Sequence, residues 1–80
     1  MHADAIYPQL TTILREVFDD EALVARPELT ADDVDEWDSL SHLRLIMTVQ
    51  KAFAVKFSAG EIGQLSNVGD LARLIQTKTS

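Results

Sequence analysis

Ser39 and His42 are the two residues of this chain whose types and spacing could do chemistry together. A hydroxyl and an imidazole three positions apart share one face of a helix, the beginning of a nucleophile with its base. Such a nucleophile also needs an orienting group and an oxyanion hole in a shielded site. An 80-residue helical chain has little room for them. A second reading asks for less. Asp38-Ser39-Leu40 opens an amphipathic helical pattern, so Ser39 stands at a helix N-terminus. There the N–H groups lack intrahelical partners and the dipole favours anionic oxygen, which suits a hydroxyl that will carry a phosphodiester. The plain alternatives are a serine that only begins a helix, and a His42 that is solvated or touches a partner or a phosphate.

Other chemistries are poorly served. The run Asp32-Asp33-Val34-Asp35-Glu36-Trp37-Asp38 is acidic enough to suggest calcium, but it lacks the turn glycine and terminal glutamate of an EF-hand loop. Cysteine is absent, so thiolate metal sites and disulfides are excluded. The three glycines, Gly60, Gly63 and Gly69, form no phosphate-cradling loop. No catalytic residue and no metal ligand is expected.

The elements that must position Ser39 are helical. With 46% hydrophobic and 25% charged residues, the 80-residue chain has the balance of a globular protein rather than a disordered one, and is read as a single domain over 1–80. Its N-terminus lacks a basic segment followed by an apolar run, and no apolar stretch reaches membrane-spanning length, so a cytoplasmic location is expected. Charge is uneven. Residues 1–38 hold eleven acids against Arg15 and Arg26, a net −9. Residues 39–80 hold Glu61 and Asp70 against Arg44, Lys51, Lys56, Arg73 and Lys78, a net +3. The acidic half argues against nucleic acid and for basic protein surfaces, or simply for solubility.

The spacing predicts helices over about 5–19, 39–54, 59–65 and 67–77. In the first, Ile6, Leu10, Ile13, Leu14, Val17 and Phe18 fall on one face. Pro8 fits best in a first turn, so the regular helix is expected to begin near Tyr7. Residues 20–38 read as a long connection that Leu23, Val24, Leu29, Val34 and Trp37 could pin to a core, with a short helical turn near 21–25 or 31–36. Asp38 is a good N-cap for the second helix, whose apolar face is read as Leu40, Leu43, Ile46, Met47 and Phe53, widened by Leu45, Val49 and Ala52. Ser58-Ala59-Gly60-Glu61 is a capping-box pattern. Asn67 caps the last helix, which buries Val68, Leu71, Ala72 and Ile75, and the tail Lys78-Thr79-Ser80 is read as frayed. The fold class is all-α: three main helices, one short helix and a long first loop.

Glu36-Trp37-Asp38-Ser39-Leu40 after a long acidic loop, then Leu43, Ile46, Met47 and Phe53 in phase, then Asn67-Val68-Gly69-Asp70-Leu71 at the last helix, resembles the acyl carrier protein family, the phosphopantetheine-attachment domains, over about Ile6 to Ile75. The resemblance implies a four-helix bundle that is not an enzyme. It implies that Ser39 receives 4′-phosphopantetheine from coenzyme A through a phosphopantetheinyl transferase and holds acyl groups on the arm as thioesters. Asp38 would order and orient the serine, and Leu40 would anchor the turn by burial. The implied partners are acyl-loading and acyl-accepting enzymes of ligase, acyltransferase, ketosynthase or condensation type, meeting a monomer with no role for nucleic acid or membrane. Positions matching Leu43 and Met47 often touch partners in the family, although both could equally be core. Arg44, Lys51 and Trp37 complete the candidate partner surface, with packing the simpler reading of Trp37.

One departure stands out. Carriers of fatty acid synthesis usually have an acidic second helix, and this one has no Asp or Glu after Asp38. Together with Trp37, that looks more like discrete carriers of polyketide, nonribosomal peptide or other specialised pathways. The alternatives are a housekeeping fatty acid carrier, an unmodified adaptor that binds a protein through the second helix, and a small serine hydrolase using Ser39 and His42.

Overall fold

In a computed structural model, residues 3–34 and 37–79 are described. Asp35 and Glu36 of the acidic run lie outside them, as do His2 and Ser80 at the termini. The described residues form four α-helices and no strand: α1 (Ala3–Val17), α2 (Ser39–Phe53), α3 (Ala59–Gly63) and α4 (Val68–Thr79), with a 3-10 turn at Ala31–Asp33 in the first connection. None of these helices is long and apolar enough to cross a membrane.

α1 packs against both α2 and α4. Its buried face is Ile6, Leu10, Ile13 and Leu14, continued by Phe18 just past its end, and Val17 lies partly buried beside them. The helix starts earlier than Pro8 suggests, so the proline sits in its second turn. Proline cannot donate to the carbonyl four residues back, and here that residue is the exposed Asp4, where water can serve the orphaned oxygen. α1 stops at Val17, two residues short of the predicted end, and Asp19 turns the chain with a left-handed φ of 50°.

The long connection is held by backbone bonds as much as by its apolar residues. Ala25, Leu29 and Val34 are buried and Leu23 partly so, whereas Val24 is 52% exposed and pins nothing. The Ala25 N–H donates to Thr11 Oγ1 at 2.9 Å, and Arg15 Nε donates to the Leu23 carbonyl at 2.8 Å, fixing the loop to α1. At the far side, the N–H groups of Val68 and Gly69 donate to the carbonyls of Leu29 and Pro27 at 2.8 and 3.0 Å. The first turn of α4 is therefore satisfied by the loop backbone as well as by Asn67, whose Oδ1 accepts from the Asp70 N–H at 2.8 Å.

Gly69 makes that approach possible. A Cβ there would stand 3.0 Å from the Pro27 carbonyl oxygen and 3.2 Å from Pro27 Cα. Alanine is the better helix former by about 1 kcal/mol, yet Gly69→Ala is expected to lower the urea midpoint because the loop must move away. Gly60→Ala in α3 meets nothing closer than Ser58 Oγ at 4.0 Å and is expected to raise it. Equilibrium unfolding of the two variants checks both signs.

The short α3 has the predicted reciprocal cap: the Ser58 N–H donates to Glu61 Oε1 at 2.8 Å, and the Glu61 N–H donates to Ser58 Oγ at 3.2 Å. It ends at Gly63 rather than Leu65, and Lys78 near the end of α4 ties it down through a 3.0 Å ion pair with Glu61. α4 accordingly stays helical to Thr79, against the predicted fraying from Lys78. α2 ends in a left-handed Ala54, φ 56°, which turns the chain so that Val55 and Phe57 enter the core.

Candidate functional site

The site is the junction of the long loop with α2. Asp38 is the N-cap: its Oδ1 accepts the Ser41 N–H at 2.8 Å while its backbone carbonyl accepts the His42 N–H at 2.9 Å. The Ser41 N–H, followed by the Ser41 hydroxyl, holds the Asp38 carboxyl below its ordinary value of 3.8. Ser39 follows as the first residue of α2, with an exposed side chain. The sequence pattern places this residue at a helix start, where the structure has it; its exposure is a finding of the structure.

Glu61 is likewise held below 4.5, chiefly by the Ser58 N–H and then by Lys78. A carboxyl whose folded value is depressed contributes stability in full above its unfolded value and loses it as pH falls through the folded value. The urea midpoint is therefore expected to fall as pH drops below about 4.5 and on past 3.8. Asp38→Asn should show a smaller drop than the native chain. Asp38 is exposed and Glu61 only half-buried, so salt should flatten the effect.

Trp37 turns inward. Its ring is half-buried, 5.2 Å from that of Phe18 between centroids, with the planes 40° apart. Its Nε1–H donates to His42 Nδ1 at 3.1 Å, and the indole and imidazole stack at 6.1 Å and 27°. His42 is thus half-buried and bonded to the loop rather than simply solvated. This bond was missed by sequence reasoning, because five positions across a cap match no helical repeat. The usable signal was an indole N–H just before a helix start and an imidazole in its first turn.

The apolar pattern of α2 divides differently from its sequence reading. Leu45, Ile46, Val49 and Phe53 are buried. Leu40 is 68% exposed, Leu43 54% and Met47 61%. Leu40 therefore does not anchor the turn by burial: it lies on the opposite side from the core, and the Asp38 cap and the Trp37–His42 bond secure the turn instead. Ala52 is exposed as well. Leu40, Leu43 and Met47 fall at spacings of three and four and form a stripe flanked by exposed Arg44, with exposed Lys51 one turn further on.

Two cavities meet at the junction. One of about 400 Å³ opens at the start of α2 and is lined by Ala31, Trp37, Asp38, Ser39 and His42. Another, of about 60 Å³, shares Ala31, Trp37 and His42 with it and is further lined by Leu45 and residues of the α3–α4 side. The smaller space would hold about two waters, so an acyl chain could enter it only by moving its walls. Among the described residues no cluster could hold a metal, and Asp33 of the acidic run is engaged with Thr30.

Residues 9–75 match the family model described as the phosphopantetheine attachment site. The chain belongs to this family. A solved structure of holo acyl carrier protein from Geobacter metallireducens superimposes with a TM-score of 0.86 at 47% identity, covering 90% of this chain and 83% of that one. No curated protein sequence matches the chain. The four-helix carrier fold expected from the sequence is the fold observed, and the family implies a phosphopantetheine group. An exposed hydroxyl beside an open cavity, at a helix start rich in N–H donors, fits that group. Members of the family carry substrates and do not transform them, which answers the hydrolase reading of Ser39 and His42.

Proposed function

We propose that Ser39 is the residue that bears the phosphopantetheine arm, and that the chain is an acyl carrier of a specialised biosynthetic pathway in the cytoplasm. The observation that carries the first part is Ser39 itself, exposed at the capped start of α2 in a chain that matches the attachment family on both sides of it. In the attachment, the serine oxygen forms a bond to the phosphorus bearing the pantetheine of coenzyme A. The pyrophosphate P–O bond breaks, the adenosine bisphosphate leaves, and the hydroxyl proton passes to the transferase. Asp38 orients the serine through the cap. The bound arm supplies a thiol that holds acyl groups as thioesters.

Support for a specialised pathway comes from the exposed face of α2, which presents Leu40, Leu43, Met47, Arg44 and Lys51 and carries no acid. Loading and accepting enzymes that dock there would offer apolar surface with neutral or acidic surroundings. The chain acts as a monomer and takes no part in binding nucleic acid or membrane.

Co-expression with a broad-specificity phosphopantetheinyl transferase tests the attachment. The expected result is an intact mass increased by one phosphopantetheine, and no increase in Ser39→Ala. No gain under conditions that load a control carrier would point instead to an unmodified adaptor.

A further inference from the structure

We infer that His42 grips the phosphodiester carried by Ser39, with Trp37 as the positioning residue that fixes the imidazole for it. The inference rests on Ser39 being the attachment residue. Five residues line the cavity at the start of α2: Ala31, Trp37, Asp38, Ser39 and His42. Once Ser39 oxygen is esterified, only Trp37 and His42 among them retain a side-chain N–H or O–H donor at neutral pH. The indole N–H of Trp37 is already given to His42 Nδ1 at 3.1 Å. An Nδ1 that accepts must be unprotonated, so a neutral imidazole carries its proton on Nε2. His42 Nε2–H is then the side-chain donor left for an anionic oxygen in that cavity.

Two further features favour the contact. Residues three apart on a helix are neighbours on its surface, so an oxygen ester on Ser39 emerges beside the imidazole. Asp38 lines the same cavity as a carboxylate whose Oδ1 is occupied by the Ser41 N–H. Its charge repels a phosphodiester, and a donor on the His42 side gives the group a preferred direction away from Asp38. Trp37 is in turn braced by Phe18 at the end of α1, so the imidazole is held from the body of the bundle.

Nuclear magnetic resonance on the intact chain, before and after modification, tests the inference. Long-range ¹⁵N–¹H correlations should show His42 as the Nε2–H tautomer in the unmodified protein, and as a mixture in Trp37→Phe, which keeps the ring and loses the donor. The ³¹P resonance of the modified protein should shift in His42→Leu and return toward the native position in His42→Gln, whose amide restores an N–H. A proton on Nδ1 in the native chain, or the same ³¹P resonance in native, His42→Leu and His42→Gln proteins, would overturn it. Intact mass separates the two readings: no mass gain removes Ser39 as the attachment site, whereas a mass gain with an unmoved ³¹P resonance removes only the role of His42.

Discussion

Ile46→Ala is expected to lower stability by about 2–5 kcal/mol, while Leu43→Ala, three residues earlier on the same helix, is expected to change it by no more than about 0.5 kcal/mol. Ile46 is 1% exposed and belongs to the single cluster that joins α1, α2 and α4, whereas Leu43 is 54% exposed. Truncating Ile46 removes buried methylenes and leaves a void that neighbours fixed by their own packing fill only in part. A chain of this length is stabilised by about 4–12 kcal/mol, so the loss takes a large share of the whole. Urea unfolding followed by far-UV circular dichroism reads both effects. Equal midpoints for the two variants would mean that the core face of α2 is misassigned.

The double substitution Leu43→Gln, Met47→Gln is expected to reduce kcat/KM for phosphopantetheinyl transfer by at least about tenfold with no loss of stability. Glutamine keeps good helix propensity and a similar length, and it adds no charge beside Asp38. What it removes is the apolar stripe that α2 presents to solvent beside Ser39. Large apolar side chains at the centre of a contact supply much of its energy, and methionine adapts to surfaces of different shape. The effect should fall mainly on KM. Unchanged transfer by this variant would place docking elsewhere. Replacing Arg44 and Lys51 by Glu tests charge separately: if acyl transfer to the native partner enzymes is undisturbed, the basic character of α2 does not select them.

The contrast between Ile46 and Leu43 also shows where the sequence was legible and where it was not. The helices themselves were readable from the three–four spacing, and the caps at Asp38, Ser58 and Asn67 were readable because each needs one polar side chain at one position. The burial face of α2 was not. Its apolar residues cover most of the helix circumference, so periodicity offers two faces, and only the packing of α1 chooses Leu45, Ile46, Val49 and Phe53. The start of α1 differs from the sequence reading because Pro8 is tolerated in the second turn: the carbonyl it deprives of a donor belongs to exposed Asp4, so water offsets that part of the cost, and the buried face of the helix outweighs the rest. The loop was legible as a loop but not in its attachment, since the carbonyls of Pro27 and Leu29 that meet α4 are backbone groups shared by every residue type. The approach needs glycine at position 69, and that need shows only once Pro27 is seen against it.

At the site, Ser39 and Asp38 stood out because a helix cap is a local event. The bond from Trp37 to His42 depends on how the loop enters α2, with Phe18 beneath it, and no local pattern encodes that entry.

The same arrangement gives the protein an optical label of its own. Trp37 is the sole tryptophan of the chain, and its indole lies between a phenyl ring and an imidazole at the point where loop, first helix and second helix converge. Its emission therefore reports on the neighbourhood of Ser39 alone, undiluted by any other indole. A transferase or acyl-accepting enzyme that lifts the loop when it binds would register as a change in that signal, without a dye or a second engineered residue.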